Sequence, residues 1–234
     1  RAFEIGQLAD LIMLDTRLHG RDEQFVYERD LEKAGGPEAF VKEHLSNADR
    51  TILGADQENW FGSQLAASHD REATWQVIGQ QVLMGKLITP LITEEIIAAM
   101  ELSEQGREQL RGRRQMAEAK LPMELDAWDG YPACRERIHG LFRQFARNPV
   151  VLTGDSHNAW AFNMSNAAGD RVGVEIGTPG VTSPGYESYV PIPPDMMREA
   201  LLSSCAELHD VDTSQRGWTC LLYTSPSPRD PTSS

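Results

Sequence analysis

The sequence predicts an α/β protein, and three observations carry that expectation. Ile138, Leu141, Phe142 and Phe145 fall at the i, i+3, i+4, i+7 spacing of an amphipathic helix that lays one face on a sheet. Asn148-Pro149 ends that helix, and the apolar run 150–153 (VVLT) reads as a buried strand opening directly into Gly154-Asp155-Ser156-His157. A later segment, 171–176, alternates Val172, Val174 and Ile176 as a second strand, followed by the loop 177–185 (GTPGVTSPG). Helix, strand and polar loop in succession form an α/β unit, and in open α/β sheets ligands bind outside the carboxyl ends of the strands.

The other elements follow in order. Residues 8–14 (LADLIML) are an apolar run closed by Asp15-Thr16-Arg17, so a buried strand ends in polar side chains, although a helical start over 8–10 also fits. Gly35-Gly36-Pro37 breaks the chain before a short helix over 38–45, marked by Phe40, Val41 and Leu45. Residues 75–84 (WQVIGQQVLM) read as a buried strand followed by a loop. Thr93 is an N-cap candidate with Glu94 and Glu95 in the first turn and Ile96, Ile97 and Met100 on one face. Gly106 and Gly112 leave the continuation of that helix through the basic stretch 107–114 open, and a last helix is expected over about 194–208.

Composition narrows the function classes. Lys and Arg number 22 against 35 Asp and Glu, a formal net charge of −13, so bulk nucleic-acid binding is not expected. The longest apolar runs fall far short of the roughly 20 residues that span a bilayer, which argues against a membrane span. Cys134, Cys205 and Cys220 are too scattered for a disulfide framework or a metal knuckle.

Asp155 and His157 stand out as chemistry-bearing residues. If the extended conformation continues past the strand, both side chains project to the same side. An oxygen and an imidazole donor together suit Fe, Zn or Mn beside a harder ion. Ser156 supports a rival reading, because Gly154-Asp155-Ser156 resembles the nucleophile block of GDS-type serine esterases, with Ser attacking an acyl carbon. That family pairs its block with a downstream D-x-x-H, and Asp195, Asp210 and Asp212 have no His three residues on. Asp15, Arg17, Arg21 and Asp22 cluster beyond the first strand, where Arg could grip a phosphate or simply close a strand end with Asp. Asp126, Asp129 and Tyr131 in DAWDGYP are either rim residues of a site or turn residues. His19, His44, His69, His139 and His209 are isolated and read as surface or structural.

Six stretches, taken in order, resemble the alkaline phosphatase D (PhoD-like) metallophosphatase family: LADLIMLDTR, RTILGADQENWF, WQVIGQQV, DAWDGYPA, VVLTGDSHNAWAF and VEIGTPGVTSPG. The resemblance implies a metallophosphoesterase-type β-sandwich, two sheets packed together and flanked by helices. It implies metal-dependent hydrolysis of a small-molecule phosphomonoester or phosphodiester, with Fe and Ca as metals and Zn, Mn or Mg as alternatives. Asp155 and His157 match the family's G-D-x-H metal ligands, while Asp15, Arg17, Arg21, Asn158, Trp160, Asp129 and Tyr131 fall where substrate-binding or supporting residues are expected. The family's other ligands, an early Cys/Asp pair, an Asp with a nearby Tyr and a D-D-H-E block with a following Asn, have no match here, and neither Cys134 nor Cys205 is the family's cysteine.

The expectation is therefore that residues 1–219 form the C-terminal portion of such a catalytic domain, truncated at both ends and inactive alone. Residues 220–234 resemble one reading frame of a sequencing adapter and are expected to be a disordered tail. The resemblance also implies periplasmic or secreted localisation by twin-arginine export. A non-catalytic binding module is the remaining alternative, and the sequence leaves oligomeric state open.

Overall fold

The computed structural model describes residues 1–99, 103–190 and 192–220. Among the described residues seven strands form one mixed sheet: β1 (Ala2–Ile5), β2 (Ala9–Met13), β3 (Trp75–Gly79), β4 (Pro149–Thr153), β5 (Ala159–Ser165), β6 (Arg171–Gly177) and β7 (Leu208–Asp212), in the spatial order β1-β2-β3-β4-β6-β5-β7. The neighbours β2, β3, β4 and β6 run parallel, whereas β1, β5 and β7 are antiparallel to the strands they pair with. All four parallel strands therefore deliver their carboxyl ends to one edge of the sheet.

Two helices cover one face of this sheet. The 17-residue α3 (Gly54–Asp70) buries Phe61 and Leu65, and α6 (Pro132–Phe145) buries Ile138 and Phe142 on the spacing the sequence displays. Phe61 and Phe142 meet edge to face at 6.0 Å between ring centres, and the two helices share one core with Ile12, Ile78, Val151, Trp160 and Phe162 of the strands. The remaining helices are α1 (Tyr27–Ala34), α2 (Pro37–Phe40) with a π-helical continuation at Val41–Leu45, α4 (Glu94–Ala99), α5 (Glu104–Glu118) and α7 (Pro194–Ser204), the last packed beside β7.

The opposite face is different. Leu11, Val77, Val150, Leu152, Val174 and Ile176 share it by register and are only partly buried, and none belongs to the buried core. Phe3, Ile5, Met13 and Trp75, between 42% and 52% exposed, extend the same apolar surface outward. The described residues thus make one sheet with helices on one face, rather than the two packed sheets that the resemblance implies.

Several expectations shift in detail. Within 75–84 the strand ends at Gly79 and the expected loop follows, with the Gln80 side-chain amide donating to the Val82 carbonyl and accepting from the Val82 amide. The last helix ends at Ser204 rather than near 208, and Leu208 begins β7. α5 runs unbroken through Gly106 and Gly112, opened by a cap in which the Ser103 hydroxyl accepts from the Gly106 amide at 3.1 Å. Helices α1 and α3 and strands β1 and β5 went unforeseen. The expected Met100 position and the tail beyond Cys220 lie outside the described residues.

Candidate functional site

The site grows from the link between β4 and β5. β5 follows β4 in the chain but lies two strands away, roughly 9.6 Å at 4.8 Å per strand, with β6 between them. Residues 154–158 must therefore arch over the carboxyl end of β6 and reverse direction. They do so through two left-handed residues, Asp155 (φ 63°) and His157 (φ 61°), and a tight turn in which the Ser156 amide donates to the Gly154 carbonyl at 2.7 Å. This overturns the expectation that the extended conformation continues past the strand. Left-handed backbone is uncommon outside glycine, although Asn, Asp and His are enriched there, and such conformations cluster at functional sites.

The arch is held from below. Asn158 is fully buried; its Nδ2 donates to the Ser156 carbonyl at 2.6 Å and its Oδ1 accepts from the Tyr186 amide at 3.0 Å, tying the arch to the loop after β6. Gly185 passes so close that a Cβ there would stand 2.4 Å from Asn158 Oδ1, so a side chain at 185 would break the tie. Trp160, 2% exposed, stacks on Phe162 and donates its indole N–H to Ser156 Oγ at 2.7 Å. Asn158 and Trp160 therefore support the loop rather than face a ligand.

Asp155, His157, Ser156, Asp126, Glu124 and Tyr186 contribute to the wall of a pocket of about 190 Å³. His157 places Nδ1 3.0 Å from the Pro184 carbonyl. A ring N–H donated there leaves the Nε2 lone pair free, the tautomer that a metal-ligating histidine needs. Arg17 bridges the site, with Nη1 on Asp126 Oδ2 at 2.6 Å and Nη2 on Asp155 Oδ2. Burial opposes the Arg17 charge, but Asp126 and Asp155 more than offset it, so its pKa lies above the ordinary value.

Arg17 is set in place by the end of β2. Asp15 Oδ1 accepts from the amides of Arg17 and Leu18, both at 2.9 Å, which holds its pKa below the ordinary carboxylate value. Gln57 of α3 and Gln81 after β3 fix the backbone on either side, Gln57 Oε1 accepting from the Asp15 amide and Gln81 Oε1 from the Thr16 amide, each at 2.8 Å. Arg21 reaches from Asp126 Oδ1 at 2.6 Å to the Tyr131 hydroxyl at 3.1 Å. Asp15 and Arg21 thus hold Arg17 and Asp126, and Arg17 meets the pocket residues directly.

Two of the expected residues lie elsewhere. Asp129 is 4% exposed and points into the core, where it pairs with Arg135 and accepts from the Leu87 amide at 2.7 Å. Burial presses its carboxyl pKa upward against these partners. Tyr131 is fully buried, its hydroxyl donating to the Asp22 carbonyl at 2.9 Å. The 3₁₀ turn Trp128–Gly130 accounts for this, since it sends Asp129 inward while Asp126, three residues earlier, stays at the pocket. Glu124 was missed altogether; it is an exposed side chain in a concave wall, its pKa raised by the surrounding protein and then by Asp126 and Asp155. Its only sequence signal was proximity to DAWDGYP.

As a metal centre the set is partial. Asp155 and His157 offer an oxygen and a nitrogen donor on one wall, but one Asp155 oxygen carries Arg17. Among the described residues no group of three or more His, Cys, Asp or Glu is placed to hold a metal ion. The residues present fit two corners of a site and do not close one. As a serine nucleophile site the fit is worse, because Ser156 Oγ is engaged by the Trp160 indole and the neighbouring imidazole is turned to Pro184.

A mixed α/β sheet with converging polar residues at the carboxyl edge of its parallel strands defines the class, an open-sheet α/β protein. The chain belongs to the PhoD-like phosphatase family, whose model matches residues 1–226. It is 32% identical over 165 residues to alkaline phosphatase D of Bacillus subtilis (strain 168), an alignment covering 70% of this chain and 22% of that protein. A solved structure titled "Structure of PhoD" shares the fold with a TM-score of 0.57 at 23% identity, over 93% of this chain and 34% of the other. No helix among the described residues is long and apolar enough to cross a membrane.

Proposed function

We propose that the enzyme to which this chain contributes hydrolyses phosphomonoesters or phosphodiesters in a metal-dependent reaction, with Asp155 and His157 as two of the metal ligands. The observation that carries this is the strained arch: a chain of the PhoD-like phosphatase family places both G-D-x-H side chains on one pocket wall. Bound Fe and Ca, or Zn, Mn or Mg in their place, supply Lewis-acid polarisation of phosphoryl oxygens and a nucleophile active at neutral pH. The chain's own residues have separable tasks. His157 is oriented by Pro184, Asp155 by the arch, and Arg17 sits where it can exchange a carboxylate for a phosphate oxygen.

Because two donors do not close a metal site, the 234-residue chain is proposed to be inactive alone, residues 1–219 forming the C-terminal portion of a longer catalytic domain. The bare apolar face of the sheet supports the sandwich reading, since a second sheet would bury it. Periplasmic or secreted localisation through twin-arginine export is part of the same proposal. The test is turnover of p-nitrophenyl phosphate with Fe and Ca, by the chain and by a version with its upstream reading frame restored. Chelator-sensitive turnover by the restored enzyme, lost in Asp155→Ala, is the expected result. Turnover by the isolated chain overturns the inactivity claim, and chelator-insensitive turnover lost in Ser156→Ala overturns the metal reading.

A further inference from the structure

Beside the pocket that holds Asp155 and His157 lies a second, larger cavity of about 580 Å³, and Glu124, Tyr186 and Tyr189 line both. The two cavities are therefore adjacent, sharing one wall. The larger one is walled by Tyr27, Tyr186, Tyr189, Met116 and Met123, with Arg113 of α5 at its side. Tyr27 spends its hydroxyl on the Pro122 carbonyl at 2.7 Å, and Tyr186 is set edge-on against Trp160 at 6.1 Å, so both rings are fixed as walls. We propose that this cavity is the subsite for the alcohol half of the phosphoester, and that it selects alcohols carrying a flat, uncharged aromatic group.

The chemistry of the walls narrows the occupant. Aromatic faces and edges stack on aromatic ligands, thioethers make favourable contacts at ring edges, and a guanidinium stacks over a π face. The size lies within the range of small-molecule pockets. Glu28 and Glu124 also line the cavity against the one guanidinium, which leaves the wall net negative and disfavours an alcohol bearing a further phosphate or carboxylate. The assignment of the subsite to an ester rests on the hydrolytic reading, whereas the preference for an aromatic ring does not.

Binding to the 234-residue chain tests it without turnover. Calorimetric or NMR titration with 1-naphthyl phosphate, ethyl phosphate and 1-naphthol is expected to show 1-naphthyl phosphate binding about tenfold more tightly than ethyl phosphate. Tyr189→Ala removes a side chain that is 69% exposed, so folding is not at stake, and it is expected to erase most of that difference. Equal affinities, or a preference untouched by both Tyr189→Ala and Arg113→Ala, overturn the proposal. A ring preference that persists while the restored enzyme hydrolyses no phosphoester overturns the hydrolytic reading alone.

Discussion

Arg17 and Asp155 are 138 residues apart in the chain and form an ion pair where β2 and β4 end. The same guanidinium holds Asp126, so three loops meet on one side chain. Arg17→Lys removes the two-armed bridge, because an ammonium is a point charge without a fork. With the pair partly exposed, little stability is at stake, less than about 1 kcal/mol. The expected result is a rise in KM for p-nitrophenyl phosphate in the restored enzyme, larger than the fall in kcat, with an almost unchanged Tm.

The arch sets function against stability. A left-handed residue with a Cβ costs about 1–2 kcal/mol, and glycine escapes that cost. Asp155→Gly is therefore expected to be about 1 kcal/mol more stable than Asp155→Ala by urea unfolding, while in the restored enzyme both lose at least about 100-fold in activity. Ala and Gly variants of equal stability would argue against the strained backbone at 155.

The buried pair is expected to behave oppositely. Asp129→Asn leaves Arg135, 7% exposed, without its anionic partner, and removing one member of a buried pair costs about 3–5 kcal/mol. Thermal unfolding should show a large loss of Tm. A drop as small as that of an exposed pair would mean that Arg135 finds water.

Stability should peak in mild acid. Burial, aided by Arg135, depresses the His139 pKa to about 3, so as pH falls below 6.5 the unfolded chain takes up a proton that the folded state refuses, and stability falls by about 1.4 kcal/mol per pH unit. Burial raises the Glu175 pKa to about 7, although the Met84 and Gly85 amides donate to its carboxylate. Its folded state keeps a proton that the unfolded chain gives up above 4.5, so stability falls as pH rises from 4.5 to 7. The two slopes oppose each other between 4.5 and 6.5. His139→Phe should move the optimum of the urea midpoint toward lower pH, and an unmoved optimum would discount the buried imidazole.

Much of this was legible in the sequence because it is local. The Ile138-Leu141-Phe142-Phe145 spacing gave α6, and the apolar run before Gly154 gave β4 and its polar loop. The family followed from the residues around Asp155 and His157 together with five other stretches. What failed depended on neighbours distant in the chain. Ala159–Ser165 is the exception, since Trp160, Phe162 and Met164 alternate with Ala159, Ala161, Asn163 and Ser165 at the period of a strand, a local signal that was passed over; only its place between β6 and β7 could not be read locally. The backbone of Asp155 and His157 could not be read either, since it is β6, arriving later in the chain, that forces the arch. Asp126 and Asp129 looked equivalent in DAWDGYP, and a single 3₁₀ turn separates the pocket residue from the core residue.

The sheet order also bears on how the molecule reaches this state. β5 and β6 can form a hairpin by themselves around the turn at Asn166–Asp170, but β5 has no place in the sheet until β6 has docked on β4. The arch carrying Asp155 and His157 can close only after that docking, when the chain has been made through residue 177. The β4–β6 register joins Val150 to Val174, a far shorter stretch of chain than the pairings of Ala9 with Trp75 and of Gln76 with Pro149, and contacts of longer separation form more slowly. The arch is thus expected to form ahead of the Arg17 bridge, which spans 138 residues and completes the pocket, so a fast phase seen at Trp160 should precede that completion.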